Sequence, residues 1–210
     1  MAVRLAIVDY GTGNLGSIAN AITHIGGKSV FVNKPENLYK FDRILLPGVG
    51  SFRRAMKQMR SLGFDDVLRE LVYSRQIPIL GICLGMQLMA RRSSENGESE
   101  GLGIIDCEVD RFCFDRTKQK DLKVPHVGFN TVLPRSDSLL FSGLGEEVDF
   151  YFTHSYRLQC SETGLVAAKC WHGEDFVAAI ERGHVAATQF HPEKSQANGL
   201  KLLKNFLSKF

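Results

Sequence analysis

The stretch PILGICLGMQLM, residues 78–89, places a cysteine between two apolar segments. Its first three residues are typical of a buried strand and its last four of a packed helix. Cys83 lies midway between Gly81 and Gly85, which is the Gly-x-nucleophile-x-Gly form of a nucleophile elbow. Such a strand-to-helix turn strains the central residue, and glycine neighbours relieve the crowding. The same glycines also suit a small buried cysteine, so this pattern leaves packing and catalysis both open.

The sequence before the elbow alternates between strand and helix patterns. The predicted strands are residues 3–9, 29–33, 43–49 and 77–80, and the predicted helices are residues 15–25, 52–60 and 65–74. Strands that alternate with helices indicate βαβ units. We therefore expect an α/β fold with a mostly parallel central sheet flanked by helices on both faces.

The pattern changes after Ala90. Residues 91–103, RRSSENGESEGLG, are predicted to be a polar loop, and residues 104–158 are short segments rich in β-formers. Further strands are predicted at residues 165–171, 176–183 and 185–190, before an amphipathic closing helix over residues 198–210. With no internal repeat or linker, we expect one domain over 1–210, with a smaller antiparallel β region in its second half.

Composition excludes several classes of protein. Hydrophobic residues make up 44% of the 210 residues and charged residues 23%, as in ordinary globular domains. A net charge of +3 without a dense basic run argues against nucleic acid as a partner. No apolar run is long enough to span a membrane, and the N-terminus lacks the features of a signal peptide. We expect a cytosolic protein with no membrane partner.

The five cysteines form no CxxC pair, and their number is odd. This argues against a disulfide framework and a zinc ribbon, so most are expected to be small buried residues. His24, His126, His172 and His184 show no ligand-like spacing and are interpreted as surface or satisfied core residues. We predict no metal and no cofactor.

A second constellation lies near the C-terminus. The segment VAATQFHPEKS ends a predicted strand at His191, Pro192 and Glu193. In an extended segment, residues two apart project to the same side, so Glu193 is predicted to orient His191. A thiol, a histidine and a carboxylate form the general arrangement for acyl transfer. His-Pro-Glu alone is more often a surface turn, but together with the elbow it favours a catalytic interpretation.

The third constellation is LLPGVGSF, residues 45–52. Its Gly48-Val49-Gly50 loop follows a buried strand and exposes backbone N–H groups, as an oxyanion hole requires. By composition alone it is equally a tight turn.

Taken in order, PGVGSF, GICLGMQLM and HPEKS resemble the oxyanion loop, nucleophile elbow and His-x-Glu motif of the class I (triad) glutamine amidotransferases. The resemblance covers most of the chain and implies their flavodoxin-like α/β fold. It implies that Cys83 attacks the side-chain amide of L-glutamine, that His191 moves protons and that Glu193 holds the histidine. It also implies oxyanion and substrate-binding roles for Gly48, Val49, Gly50, Leu84, Gln87, Glu95, His154, Ser155 and Tyr156.

Three further segments, DYGTGNLGS, VPHVGFN and YFTHSY, resemble the glutaminase subunits of imidazole glycerol phosphate synthases. This resemblance implies a heterodimer in which ammonia passes through a channel to a cyclase with a (β/α)8 barrel, in histidine biosynthesis. The implied products are imidazole glycerol phosphate and aminoimidazole carboxamide ribotide. The implied interface residues are Phe129, Asn130, Tyr151 and Lys194.

Phe129 departs from this pattern, because the histidine-pathway subunits usually have tryptophan there. The alternative is a paralogous subunit that feeds ammonia to a sugar amidotransferase in surface-polysaccharide biosynthesis. Two other classes are disfavoured. A non-catalytic module would not need all three triad residues, and a free-standing α/β-hydrolase would place its acidic residue before the histidine. GTGNLG matches neither dinucleotide- nor phosphate-loop patterns, which argues against nucleotide binding.

Overall fold

The computed structural model describes residues 3–11, 13–114, 119 and 121–210. Its five helices are α1 (Leu15–His24), α2 (Phe52–Ser61), α3 (Phe64–Tyr73), α4 (Leu84–Leu88) and α5 (Gln196–Lys209). The strands of the first half are β1 (Leu5–Val8), β2 (Ser29–Val32), β3 (Arg43–Leu46), β4 (Ile79–Ile82), β5 (Arg92–Ser93), β6 (Ser99–Glu100) and β7 (Cys107–Arg111). Those of the second half are β8 (His126–Pro134), β9 (Val148–His154), β10 (Tyr156–Cys160), β11 (Val166–Trp171), β12 (Asp175–Arg182) and β13 (Val185–Thr188).

Nine strands form one mixed sheet in the order β2-β1-β3-β4-β13-β12-β11-β8-β9. The pairs from β2 to β13 are parallel, as the βαβ pattern predicts, and those from β13 to β9 are antiparallel. The expected α/β fold is confirmed. Most of the antiparallel strands extend the central sheet, and the smaller β region that was expected is a second sheet.

A second, smaller sheet has the order β10-β7-β5-β6. Its short strands β5 and β6 pair through Arg92 with Glu100 and Ser93 with Ser99. Residues 91–103 therefore include a small β-hairpin, and the prediction of a plain loop was wrong there. The polar composition of the segment hid the strands because both are only two residues long and contain no apolar residue.

Two apolar layers cover the two faces of the central sheet. On one face, alternate residues of β1 and β3 pack with α2, α3 and the second sheet. On the other face, the intervening residues pack with α1, α5 and the phenylalanines of β9. Helices on both faces were predicted from the βαβ alternation, and both are observed. Because the parallel strands are buried on both faces, Leu5–Val8 and Ile79–Ile82 are continuous apolar runs.

The cysteine prediction needs a correction. Cys107 on β7 and Cys160 on β10 are directly opposite each other in an antiparallel pair and form a disulfide. Cys83 and Cys170 are free and buried, whereas Cys113 is free and exposed. An odd count of cysteines does not exclude one disulfide, and spacing along the chain does not reveal which residues will oppose each other in a sheet.

In the part of the chain that the structure describes, no helix is long and apolar enough to cross a membrane. Among the same residues, no group of three or more His, Cys, Asp and Glu side chains is arranged to hold a metal ion.

Candidate active site

Cys83 lies on the turn between β4 and α4, where β4 ends beside β13. Its φ of 53° and ψ of −109° are strained values for a residue with a side chain. Its backbone N–H donates to Thr188 O at 2.8 Å, which fixes the turn to β13. A Cβ on Gly85 would lie 1.8 Å from Leu46 O, and one on Gly81 would lie 2.6 Å from the sulfur of Met89. Both elbow glycines are therefore required by close contacts.

The loop Pro47–Gly50 follows β3, the neighbour of β4, and so lies beside the elbow. Tyr10 OH donates to Pro47 O at 3.0 Å and holds the start of the loop. A Cβ on Gly48 would lie 2.6 Å from that hydroxyl oxygen. Gly50 has a φ of +98°, a conformation that favours glycine. The glycines of this loop thus meet steric requirements and leave its backbone close to Cys83.

His191 and Glu193 form a buried pair. Nδ1 of His191 and Oε1 of Glu193 are 2.8 Å apart, and their side chains are only 3% and 2% exposed. The backbone differs from the expected extended one, because residues Pro192–Lys194 form a short 3-10 turn. The turn brings the two side chains together through its curvature. His191 is held by its N–H bond to Tyr151 O at 2.9 Å.

The electrostatics of His191 favour the charged imidazolium. Burial lowers its pKa, but attraction to Cys83 and Glu193 outweighs burial and raises the pKa to about 9. Because Nδ1 faces a carboxylate, it carries a proton. Nε2 is buried and has no hydrogen-bond partner of ordinary length among the described residues. It is therefore the nitrogen free to exchange a proton with the thiol or a substrate.

A cavity of about 340 Å³ opens beside Cys83. The predicted residues that line it are Val49, Gly50, Cys83, Leu84, Gln87, Glu95, His154, Ser155, Tyr156 and His191. Gly48 and Glu193 are not among the residues that line it. Pro125 and Thr153 also line the cavity and were not predicted. Glu95, in the polar segment after α4, accepts the N–H of Phe52 at 2.7 Å, which fixes its carboxylate at the start of α2.

One residue that sequence reasoning missed is Gln189. Its side chain is fully buried, and its Nε2 lies 3.8 Å from Cys83 Sγ. Its Oε1 accepts from Gln87 Nε2 at 2.9 Å. The signal was present, because Gln189 is a polar amide in the otherwise apolar end of VAATQF. Gln87 shows the same signal, a polar amide among apolar neighbours.

Two buried histidines form a second polar group beside the cavity. His126 Nδ1 and His154 Nε2 are 3.1 Å apart, and His154 Nδ1 lies 2.8 Å from Tyr156 O. Burial lowers the pKa of His126 to about 4 and that of His154 to about 3. Both rings are therefore neutral at pH 7. His126 was interpreted as a surface or satisfied core residue, and it is a core residue whose partner was not predicted because cross-strand pairing is not visible in the sequence.

The predicted interface residues lie around the outer end of the sheet, on β8, β9 and the turn after β13. The rings of Phe129 and Tyr151 meet edge to face at 5.6 Å, and Lys194 Nζ is 5.7 Å from the centre of the Tyr151 ring. Phe129 is 51% exposed. Asn130 differs, because its side chain donates to Trp171 O at 2.9 Å and contacts His126 Nε2 at 3.1 Å. It faces the histidine pair and not the side of Phe129, since neighbours in a strand alternate.

The elbow, the adjacent glycine loop and the buried His-Glu pair define a triad-type acyl-transfer site on an α/β sheet. The sequence matches the family Glutamine amidotransferase class-I over residues 6–210, and the chain belongs to that family. Two solved structures share the fold. One titled as a glutamine amidotransferase aligns with a TM-score of 0.76 and 21% identity, covering 97% of this chain and 96% of its own. The structure of PurLQS from Thermotoga maritima aligns with a TM-score of 0.76 and 15% identity, covering 99% and 98%.

Closer relatives are imidazole glycerol phosphate synthase subunits named HisH. The HisH 1 protein of Campylobacter jejuni (strain RM1221) is 46% identical, with 97% of this chain and 98% of the relative covered. The HisH protein of Sulfurimonas denitrificans is 43% identical, with 96% of each covered. That of Acinetobacter baylyi is 41% identical, with 97% of each covered. These relatives confirm the resemblance to the glutaminase subunits of that synthase and do not favour the sugar amidotransferase alternative.

Proposed function

We propose that this chain hydrolyses L-glutamine to glutamate and ammonia as the glutaminase subunit of an imidazole glycerol phosphate synthase. The observation that carries the proposal is the buried bond between His191 and Glu193 beside the elbow cysteine, which leaves Nε2 of His191 without another hydrogen-bond partner among the described residues. The family and the HisH relatives support the same activity.

In the proposed reaction, the Cys83 proton already lies on Nε2 of the His191 imidazolium, and the thiolate sulfur attacks the side-chain carbonyl carbon of glutamine. Backbone N–H groups near Gly50 and Leu84 receive the negative charge on the carbonyl oxygen. The C–N bond then breaks, and the imidazolium proton passes to the leaving amine, which departs as ammonia. Water attacks the glutamyl thioester with His191 as the base, which releases glutamate and restores the thiolate.

The remaining residues of the cavity suit the rest of the substrate. The carboxylate of Glu95 at its rim offers an anionic partner for the α-ammonium of glutamine. The His154-Ser155-Tyr156 segment lines another wall, where its backbone is held by the bond from His154 to Tyr156 O. The cavity therefore presents an acidic group, a backbone wall and a nucleophile to a small amino acid.

The proposed partner is a cyclase with a (β/α)8 barrel, docked on the sheet face of Phe129 and Tyr151 with Lys194 reaching an acidic group. Ammonia protonates readily in water, so it is delivered through a closed channel. In this cytosolic heterodimer the cyclase joins ammonia to a phosphorylated ribulosyl-aminoimidazole intermediate. We expect low glutaminase activity for the isolated chain and an increase when the partner and its ligand bind. Equal turnover with and without the partner would contradict this docking.

The decisive experiment is Cys83→Ala, assayed with the cyclase partner. Glutamine-dependent synthesis should fall by at least about 10³-fold, because removal of a nucleophile leaves only residual catalysis. Synthesis from added ammonium salts should persist, since the acceptor site is on the partner. Cys170→Ala is the matched control, because Cys170 is also free and buried. Retained glutamine-dependent synthesis in Cys83→Ala would overturn the proposed nucleophile.

A further inference from the structure

We propose that Gln189 is a catalytic residue, which stabilises the Cys83 thiolate by donating its side-chain N–H to the sulfur. This inference rests on the proposed function, because it assumes that Cys83 reacts as a nucleophile. Gln189 Nε2 lies 3.8 Å from Sγ, within the range for hydrogen bonds to sulfur, and its side chain is fully buried.

The orientation of the Gln189 side-chain amide follows from the backbone oxygen of Tyr156, which can only accept hydrogen bonds. Gln87 places one nitrogen 3.0 Å from the backbone oxygen of Tyr156 and 2.9 Å from the Gln189 side chain. An atom that donates to a carbonyl oxygen must be Nε2, so Gln87 donates to both neighbours. The atom of Gln189 that receives this bond must therefore be Oε1. Its Nε2, with two N–H groups, is left facing Cys83.

The same logic extends to the far side of Tyr156 O. His154 Nδ1 lies 2.8 Å from this oxygen and must carry a proton, so its Nε2 accepts from His126 Nδ1. Tyr156 O thus receives bonds from Gln87 and His154, and both of its lone pairs are used. A carbonyl oxygen held from two sides gives Gln87, and through it Gln189, one orientation.

The His191 imidazolium attracts a negative charge on the sulfur, and the Gln189 amide adds a second stabilising contact that the remaining surroundings do not supply. α4 spans only Leu84–Leu88, so its dipole is small. The other hydrogen-bond partner of Sγ that the structure records is Thr153 O, at 4.0 Å. That oxygen accepts from a thiol but repels a thiolate. A buried amide N–H on the sulfur favours the thiolate, since hydrogen bonds to charged groups are the stronger ones.

The test measures alkylation of Cys83 by iodoacetamide as a function of pH, in the full chain, with peptides quantified by mass spectrometry. Cys113 is exposed and free, so its rate in the same sample corrects for the reagent. In Gln189→Met, a neutral side chain of similar length, the midpoint of the Cys83 profile should move upward by about one pH unit. Alkylation below the midpoint should then slow about tenfold relative to wild type.

A second variant separates electrostatics from packing. Gln189→Glu keeps the size and shape, so a residue that only fills space would make it the milder change. If Gln189 acts as a donor, its carboxylate opposes the thiolate, and Gln189→Glu should slow Cys83 more than Gln189→Met. Asn205→Leu is the matched control, because Asn205 is a buried amide that bonds Leu140 O and Ser142 O. It should leave the Cys83 profile unchanged.

Thermal melts establish that each variant is folded before its alkylation profile is measured. One folded Gln189 variant is enough to test the shift in the Cys83 midpoint. An unchanged midpoint in that variant would overturn the role of Gln189 while leaving Cys83 as the nucleophile. Failure of a glutamine-like electrophile to label Cys83 in the wild-type complex would instead overturn the proposed function. The two failures are therefore distinguishable.

Discussion

Two buried histidine groups flank the same cavity and differ in the charge of their partners. His191 faces the Glu193 carboxylate, and its pKa is raised to about 9. His154 faces a backbone oxygen and His126, and burial lowers its pKa to about 3. All three side chains are less than a tenth exposed. Burial alone therefore does not decide the charge of a histidine here; the charge of its hydrogen-bond partner does.

The difference also separates two tasks. A histidine that moves protons must carry a positive charge for part of the reaction, and a neighbouring carboxylate stabilises that imidazolium. A histidine that only fixes a backbone oxygen must stay neutral with one defined tautomer. The chain of bonds from Asn130 through His126 to His154 meets this requirement, because each ring has one donor and one acceptor position filled.

Removing the Glu193 carboxylate should make His191 neutral, like His126 and His154. In Glu193→Gln, the pKa of His191 should fall and glutamine-dependent turnover should drop by about 10²- to 10⁴-fold, as for other losses of an orienting carboxylate. Steady-state kinetics with the partner measure the drop. Glu181→Gln is the control, since Glu181 is also a buried carboxylate but binds Ser138 Oγ and the N–H groups of Leu139 and Leu140. A Glu193→Gln enzyme of normal turnover would show that the carboxylate is dispensable.

The neutral pair should make the protein sensitive to mild acid. The folded pKa values of about 4 for His126 and about 3 for His154 lie below the ordinary value of 6.5. The unfolded chain therefore binds more protons as pH falls below 6.5, and the stabilisation present above that pH is lost. Between pH 7 and pH 5 each histidine should lower the free energy of unfolding by about 2 kcal/mol.

Urea unfolding at the two pH values measures this loss, and His126→Gln should remove about half of it. The acidic groups with lowered pKa values, such as Asp42, titrate at lower pH and leave this window to the histidines. His191 has a raised pKa, so its own linkage falls above pH 6.5 and has the opposite sign. A free energy of unfolding that is equal at pH 7 and pH 5 would contradict the neutral state of the pair.

Adding a carboxylate beside the neutral histidine pair should have the smallest effect of these changes. Asn130→Asp places a carboxylate beside His126 Nε2, so the pKa of His126 should rise from about 4 by roughly one to two pH units. Histidine resonances followed by NMR through a pH titration measure the shift. Asn198→Asp is the control, since that amide bonds Asp149 O away from the histidines. An unmoved His126 resonance would show that this environment is set by burial alone.

The sequence was most informative where chemistry and backbone geometry share one short segment. Gly81-x-Cys83-x-Gly85 predicted the strand-to-helix turn with Cys83 at its centre, because close contacts require both glycines, Gly81 against Met89 and Gly85 against Leu46. The parallel strands were predictable because they are apolar throughout. The His191–Glu193 pairing was expected, although for an extended backbone, whereas the chain forms a 3-10 turn that brings the side chains together by another path.

What the sequence did not reveal depends on strands far apart in the chain. Cys107 opposes Cys160, and His126 opposes His154, only because β7 pairs with β10 and β8 with β9. Gln189 reaches Cys83 because β13 lies beside β4. Local sequence periodicity does not specify which residues of two distant strands lie opposite each other. Such pairs are therefore not predictable even when both residues have been singled out. The same reason explains why the contact of the Asn130 side chain with His126 was not predicted.

The close approach of Gly85 to Leu46 has a consequence for how this site tolerates change. The strand β3, which leads into the Pro47–Gly50 loop, and the turn that holds Cys83 meet backbone to backbone, with no side chain between them. An insertion or a bulkier residue in either segment must displace the other. The two segments therefore have to be engineered together: a graft of either loop from a relative should be made with its counterpart.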